Sequence, residues 1–387
     1  MMIEICQKSC CTGCAACASV CNSRAITMDV DKNHLGHLFP MINNDLCIDC
    51  GACKRVCPQL NEITLNSPSK AFAAWSLDDN VHKNSTSGGL AYTLAYEVIK
   101  EWNGVVYACA ADYGETLSIK HVRIEQLSDL WRIQGSKYVQ SKIDSTLYKE
   151  LTADLNHCRK VLFIGTPCQV AAARKFVKYN DENFYSVDII CHGVPSMKLL
   201  EDYLQTIRAQ NINKISFRSS EGDIHSLTIE LDNGNRIKKS VGQSTYFAAF
   251  LRSHSYRDSC YQCKYAQQKR PGDITLGDFW GLGKLKTENE STHWGISVML
   301  QNTEKAKHLI TLVEDKIFIE ERRVEEAING NRQLRYPSRK TIIYRLFAYL
   351  YPRLGYERSA SICTLGDRLH YSVAVPIVSS LQSIFIK

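Results

Sequence analysis

Residues 11 to 22, CTGCAACASVCN, hold four cysteines at the spacing C-x2-C-x2-C-x3-C, and 36 positions later CIDCGACKRVCP holds four more at the same spacing. Each cysteine of the first tetrad (Cys11, Cys14, Cys17, Cys21) has a counterpart in the second (Cys47, Cys50, Cys53, Cys57), the mark of a duplicated small unit. The start of the chain, MMIEICQKSC, lacks the long apolar segment of a secretory leader, so a cytoplasmic location is expected, where thiols stay reduced. Seventeen cysteines there point to metal rather than to a disulfide framework. A C-x2-C-x2-C loop wraps one 4Fe-4S cubane, while the fourth cysteine, three residues on, reaches to the other cluster. The spacing therefore predicts Cys11, Cys14, Cys17 and Cys57 on one cluster, and Cys47, Cys50, Cys53 and Cys21 on a second. Pro58 follows Cys57 as such a pattern expects, but Asn22 replaces the matching proline, and the 25 residues between the tetrads exceed what the simplest ferredoxins use. Zinc is the competing metal, although zinc modules usually separate two C-x2-C pairs by a longer loop. Cys6 and Cys10 fall outside the tetrads and read as spare thiols.

The remaining chain is long enough for one or two further domains, 387 residues in all with 44% apolar side chains. Its apolar runs are broken by charges well short of the roughly 20 residues of a membrane span. A net charge of +7 is modest for this length and gives no reason to invoke nucleic acid. The expected organisation is a two-cluster ferredoxin-type domain over 1–65, a polar connection NEITLNSPSK (61–70), an oxidoreductase domain over 70–330 and a basic helical extension over 331–387. That extension carries nine Lys or Arg against two acids, a surplus as large as the whole chain's. Within it, TIIYRLFAYLYPRLG reads as an amphipathic helix ending near Pro352. It either covers the chain's own core or rests on a partner or an acidic membrane surface.

Beyond residue 70, strand and helix patterns alternate. AFAAWS reads as a strand, GGLAYTLAYEVIKEW as a helix, GVVYACAAD as a strand; KVLFIG leads into helical CQVAAARKFV, and NFYSVDII into SMKLLEDYLQTIRAQ. Such alternation predicts an α/β sheet with a strong parallel component. NKISFRS, SLTIELDNG and NRIKKSV read as an antiparallel insertion turning at Asp232-Asn233-Gly234. The fold class expected is thus an α+β two-cluster ferredoxin domain followed by an α/β domain with a mixed sheet. Several turns carry chemistry. NSTSGGL (84–90) opens a helix, where backbone N–H groups suit a phosphate, or simply cap the helix. FIGTPCQ sets Cys168 at the C-terminal edge of a strand, where ligands of α/β sheets sit, and IICHGVPS sets Cys191 at the next edge. With the pair Cys260 and Cys263 of CYQC, these two make four ligands for a third cluster, or for a structural zinc.

The segments STSGGLAYTL, QGSKYVQS, GTPCQVAAARK, IICHGVPS, CYQCKYA and GDITLGDFWG, in this order, resemble the coenzyme F-420 hydrogenase/dehydrogenase beta-subunit family, which includes 7-hydroxymethyl chlorophyll a reductase. The resemblance covers about residues 1–285 and implies a flavoprotein. FAD is then expected against Ser87, Gly88 and Gly89, Ser136, Lys137 and Tyr138, Gly165, Thr166 and Pro167, and Gly277, Asp278, Phe279 and Trp280. Lys137 would hold negative charge on a phosphate or on the reduced flavin. Tyr138 and Trp280 would flank the ring or serve as core aromatics. His192, beside Cys191, is either a proton shuttle or a backbone hydrogen-bonder, and Cys109, Cys158 and Cys363 read as ordinary thiols. The implied activity is an FAD- and 4Fe-4S-dependent oxidoreductase, passing electrons between a hydride donor or reducible organic substrate and one-electron carriers. Two other readings stay open, a relay subunit of a larger redox complex without its own substrate and a flavin-free cluster protein. No catalytic residue is assigned by the motifs.

Overall fold

The computed structural model describes residues 4–374 except 115, 178–180, 219–225 and 286–292. The N-terminal module is built from helix α1 (Ala16–Val20), strands β1 (Ile26–Asp31) and β2 (His37–Ile42), and helix α2 (Ala52–Val56). The sequence duplication is visible residue for residue. Both short helices are entered through a left-handed residue, Ala15 (φ 59°) and its counterpart Gly51 (φ 69°). The insert between the tetrads is an antiparallel hairpin, β1 on β2 from Ile26 opposite Ile42 to Asp31 opposite His37.

This module does not hang from a loose connection. Cys14, Ala15, Ala16 and Val56 belong to the same apolar core as Tyr107, Tyr148, Leu151, Phe163 and Val170. The Tyr148 hydroxyl donates to the Cys14 carbonyl at 3.0 Å. The polar stretch 61–70 is also tied down: Asn66 and Arg270 exchange backbone hydrogen bonds at 2.9 and 2.8 Å, and the Ser69 N–H donates to the Gln301 carbonyl at 2.8 Å.

The α/β part runs β3 (Lys70–Ser76), α3 (Asp79–Lys83), α4 (Leu90–Trp102), β4 (Val105–Asp112), β5 (Ser118–Ile124), α5 (Leu147–Asn156), β6 (Val161–Gly165), α6 (Pro167–Arg174), β7 (Phe184–Ile189) and α7 (Met197–Thr206). There follow β8 (Ile212–Ser216), β9 (Ser226–Leu231), β10 (Arg236–Ser240), α8 (Thr245–Leu251), β11 (Ile274–Asp278), β12 (Ser297–Gln301), α9 (Ala306–Val313), β13 (Ile317–Arg322), α10 (Val324–Gly330) and α11 (Ile342–Leu369). Eight strands form one mixed sheet in the order β13-β3-β12-β11-β7-β6-β4-β5. β4, β6, β7 and β11 pair in parallel at its centre, and antiparallel strands flank them on both sides. Every residue of β6 is buried, as a central parallel strand covered on both faces requires. Its alternate side chains divide between two cores: Leu162 and Ile164 pack with α4 and α9, Val161 and Phe163 with α5 and α6. β8, β9 and β10 make a separate antiparallel sheet, turning at Gly234 (φ 80°) as the sequence pattern indicates.

Two element boundaries differ from the sequence reading for physical reasons. α4 begins at Leu90, because Gly88 and Gly89 are used in the turn before it. A Cβ on Gly88 would stand 2.4 Å from the Ala74 carbonyl oxygen, so only glycine lets the helix start approach β3. The C-terminal helix does not end near Pro352. It bends at Gly355 (φ 73°) and continues to Leu369, because Tyr356, Ala360 and Cys363 bury a second apolar face after Tyr344, Phe347 and Tyr351 have buried the first. The opposite side leaves Ile342, Tyr349, Ile362, Leu365 and Leu369 exposed. Residues 375–387 of the basic extension lie outside the described residues. Among the described helices none is long and apolar enough to cross a membrane.

Candidate functional site

The three parallel strands β6, β7 and β11 end on the same side of the sheet, and a cavity of about 350 Å³ opens there. Gly165, Thr166 and Pro167 enter it from β6, Cys191 and His192 from β7, and Gly277, Asp278 and Trp280 from β11. Ser87, Gly89 and the first residues of α4 line another wall, and Ser136, Lys137 and Tyr138 a third. The motifs around Ser87 and Ser136, 50 residues apart, are clamped together: the Ser136 N–H donates to Thr86 Oγ1 at 2.7 Å, and the two hydroxyls lie 2.8 Å apart. The first N–H groups of α4, which no intrahelical carbonyl can accept, face the cavity and favour an anion.

Two residues expected at this site lie elsewhere. Gly88 is absent from the lining, and its N–H donates to Ser297 Oγ at 2.9 Å, so its part is close packing rather than ligand binding. Phe279 is buried with Trp75 and Leu300 on the far side of the strand, because successive side chains of an extended chain point to opposite faces. Tyr138 has both aspects. It lines the cavity, and its ring stacks on Phe250 at 4.4 Å and 9°. Trp280 is 42% exposed at the rim, with the Arg218 guanidinium 5.8 Å from its ring and paired to Asp278 at 2.6 Å. Lys137 bonds only to carbonyls, those of Gln134 at 3.0 Å and Gly135 at 3.1 Å. Burial pushes its ammonium well below the usual lysine range, to about 8. His192 lines the cavity, and only its backbone carbonyl is hydrogen-bonded, by Ser338 Oγ at 2.9 Å.

The wall also contains residues that motif reading missed. His121 is buried and held neutral, its pKa lowered to about 4 by desolvation; it donates from Nε2 to the Ile164 carbonyl at 3.1 Å and accepts from Ser141 at Nδ1 at 2.7 Å. Cys109 faces Lys137 across the cavity, and Asn331, Gln333 and Ser338 close it from the segment after α10. The parity of β4 and β5 could have indicated Cys109 and His121, since they are register partners. Nothing local marks the three C-terminal residues.

Cys168, Cys191, Cys260 and Cys263 all line this cavity, the last two from the turn Asp258–Gln262. Burial and mutual repulsion of their thiolates push all four thiols up, Cys168 and Cys191 to about 12. In the N-terminal module, a second small cavity is lined by Cys11, Cys14, Cys17 and Cys57, the crossed set, together with Cys6. Cys6 is hydrogen-bonded to both Cys11 and Cys57 and is not the bystander its position outside the tetrads indicated. Cys53 feels the charges of Cys47 and Cys50, and Cys21 packs on the same apolar cluster as Cys53. Cys50 is exposed, with Leu46 and Ile48 exposed beside it, whereas Cys11 and Cys14 are buried. The field of Cys168 reaches Cys14, so the third set adjoins the buried set of the module. Among the described residues no three Cys, His, Asp or Glu converge as they would on a single metal ion.

Comparison with known proteins agrees with both halves. Residues 158–327 match the family model for the C terminus of the beta subunit of coenzyme F420 hydrogenase/dehydrogenase, and residues 6–61 that for a 4Fe-4S dicluster domain. The F subunit of the F(420)H(2) dehydrogenase of Methanosarcina mazei is 23% identical over 248 residues, 59% of this chain and 69% of that protein. A chain of the F420-reducing [NiFe] hydrogenase complex from Methanosarcina barkeri superposes with a TM-score of 0.46 at 17% identity, covering 70% of this chain and 91% of its own.

Proposed function

Because the chain belongs to the coenzyme F420 hydrogenase/dehydrogenase beta-subunit family and begins with a 4Fe-4S dicluster domain, we propose that it is an FAD- and 4Fe-4S-dependent oxidoreductase. In this reading it moves electrons between a hydride donor or reducible organic substrate and one-electron carriers. The observation that carries the proposal is the shared cavity, which joins the flavin-motif residues to four buried cysteines. FAD exchanges hydride on one side and single electrons on the other, and cubanes carry the single electrons. The residues present fit these groups. The N-terminus of α4 and Lys137, which lacks any carboxylate partner among the described residues, would hold anionic parts of the flavin. Thr166, Pro167 and Gly277 form a close backbone floor, and Tyr138 and Trp280 supply aromatic surface.

The four thiols of the third set are spread around the cavity wall rather than gathered on one point, which favours a cubane over zinc. From there the buried set of Cys11, Cys14, Cys17 and Cys57 leads to the set of Cys47, Cys50, Cys53 and Cys21. Exposed Cys50, with Ile48 74% exposed beside it, is suited to a redox carrier protein or partner subunit. The outward stripe of α11 offers a second contact, to a partner or an acidic membrane surface. Reduced thiols throughout fit a cytoplasmic location. The relay-subunit alternative rests on the Methanosarcina mazei relative, which by its name is one subunit of a dehydrogenase.

The test is anaerobic purification of the full chain with iron, sulfide and flavin counts, followed by a screen of hydride donors. About twelve irons per chain, falling to about eight in Cys263→Ala, and one flavin are expected, since each cubane holds four irons. Zinc with no iron at the third set would overturn the relay. Flavin without turnover by any hydride donor, but with electron exchange in the presence of a partner, would favour the relay-subunit reading.

A further inference from the structure

Two arginines are fully buried among the described residues, each 1% exposed, and they are compensated differently. Arg270 is paired with the carboxylate of Asp188, itself wholly buried. Arg257 has no carboxylate among the described residues. Its Nε donates to the Cys11 carbonyl at 2.5 Å, Nη1 to Gln140 Oε1 at 3.2 Å, and Nη2 to the Leu38 carbonyl at 2.9 Å and to Cys11 Sγ at 3.5 Å, while the guanidinium lies 4.1 Å from the Phe39 ring centroid. The adjacent Asp258 does not serve it, being engaged by Lys340, Tyr344 and His34.

A guanidinium keeps its charge in any protein interior, and a buried charge without a counter-charge is strongly unfavourable. Among the described residues, the candidate anion in contact is the sulfur of Cys11. A thiolate-ligated iron-sulfur cluster at Cys11, Cys14, Cys17 and Cys57 carries net negative charge and completes the pair. Arg257 also stands three residues before Cys260, and its field reaches Cys168. It therefore occupies the gap between two cysteine sets. Tyr265 is in the same gap, 1% exposed, with a hydroxyl that has no hydrogen-bond partner and with Cys168, Cys14, Cys263 and Cys57 all close enough to act on it. An unpartnered buried donor at this place is what an acceptor sulfur would satisfy.

We propose that Arg257 is the counter-cation of the Cys11-side cluster and a positioning residue of the relay, raising that cluster's reduction potential relative to the one on Cys168, Cys191, Cys260 and Cys263. The inference rests on the relay reading above. Reduction adds one negative charge, and a fixed cation in contact stabilises the reduced form more than one acting from further away. Contact with Cys11 is direct and the influence on Cys168 is not, so one electron leaving the third set is held preferentially on the Cys11 side.

The experiment is a redox titration of the full, iron-loaded chain followed by electron paramagnetic resonance, with the Cys11-side signal assigned through Cys57→Ser. Arg257→Gln is expected to lower that potential by at least tenfold in the one-electron equilibrium, about 59 mV. Arg257→Lys, which keeps the charge, should restore most of the shift even where it melts lower. Gln140→Glu places a carboxylate against the guanidinium and should lower the same potential with Arg257 still present, which decides the matter if Arg257→Gln does not load iron. A structural role alone would lower melting temperature and leave the potential in place. Unchanged potentials in iron-loaded Gln140→Glu, or in iron-loaded Arg257→Gln, would overturn the proposal. An absence of iron at the third set in the wild-type chain would instead fail the relay reading, and the Arg257 effect on the dicluster signal would still be read.

Discussion

Lys137 illustrates how one buried side chain links a cofactor to pH. The titratable groups near its ammonium are Cys109 and His121, and neither is a carboxylate. In the free protein it loses its proton near pH 8. An anionic group bound beside it would raise that value, so the bound state holds more protons than the free state above pH 8. Flavin affinity should therefore be flat below about pH 8 and weaken by about tenfold per pH unit above it, until the bound-state value is passed. Fluorescence titration of flavin against pH measures this, and Lys137→Met should bind more weakly and without the slope. A slope retained in Lys137→Met would assign it to another group. At the clusters, the crossed assignment predicts that Cys57→Ser, made together with Cys6→Ser so that the neighbouring thiol does not substitute, alters the signal of the Cys11 set. A change confined to the Cys47 set would show that the fourth ligands are not crossed.

At the scale of elements, α11 presents two faces with different energetic weight. Phe347 is 1% exposed in the core shared with α7, β9 and Tyr356, so Phe347→Ala should cost about 3–5 kcal/mol. Ile362, on the outward side of the same helix, is 54% exposed, and Ile362→Ala should lie within about 0.5 kcal/mol of the parent. Urea denaturation of both variants checks the orientation. Equal losses would mean that the outward stripe is covered in the isolated chain.

For the whole molecule, the decisive fact is that the dicluster module and the sheet share a core. Removing residues 1–60 would strip Ala15, Ala16 and Val56 from Tyr107, Tyr148 and Phe163, and would leave Arg257 buried without its Cys11 partners. The truncated chain is expected to aggregate or to melt well below the parent, as measured by light scattering during a thermal ramp. A monodisperse fragment with an unchanged melting temperature would show that the two parts fold independently. The shared core also gives the relay a fixed geometry, since a tethered module would bring its buried cysteine set near Cys168 only part of the time.

The duplicated cysteine spacing, the strand-helix alternation and the glycine-marked hairpin were legible because each depends on a short repeating period or on the backbone needs of neighbouring residues. The same holds for the placement of Cys168 and Cys191, since a strand ending in a tight turn puts its next residue at the sheet edge. Gly88 and Phe279 show the limit: a motif places a residue near a site, but parity along the strand and the closeness of Ala74 set whether it faces the ligand or the packing. Arg257, Asn331 and Gln333 come from segments with no local signature, and they reach the cysteine sets or the cavity only because the sheet order brings distant strand ends together. The compensation of Arg257 by sulfur instead of a carboxylate is a property of that three-dimensional neighbourhood, as electrostatic energy depends on distance and burial and not on position along the chain.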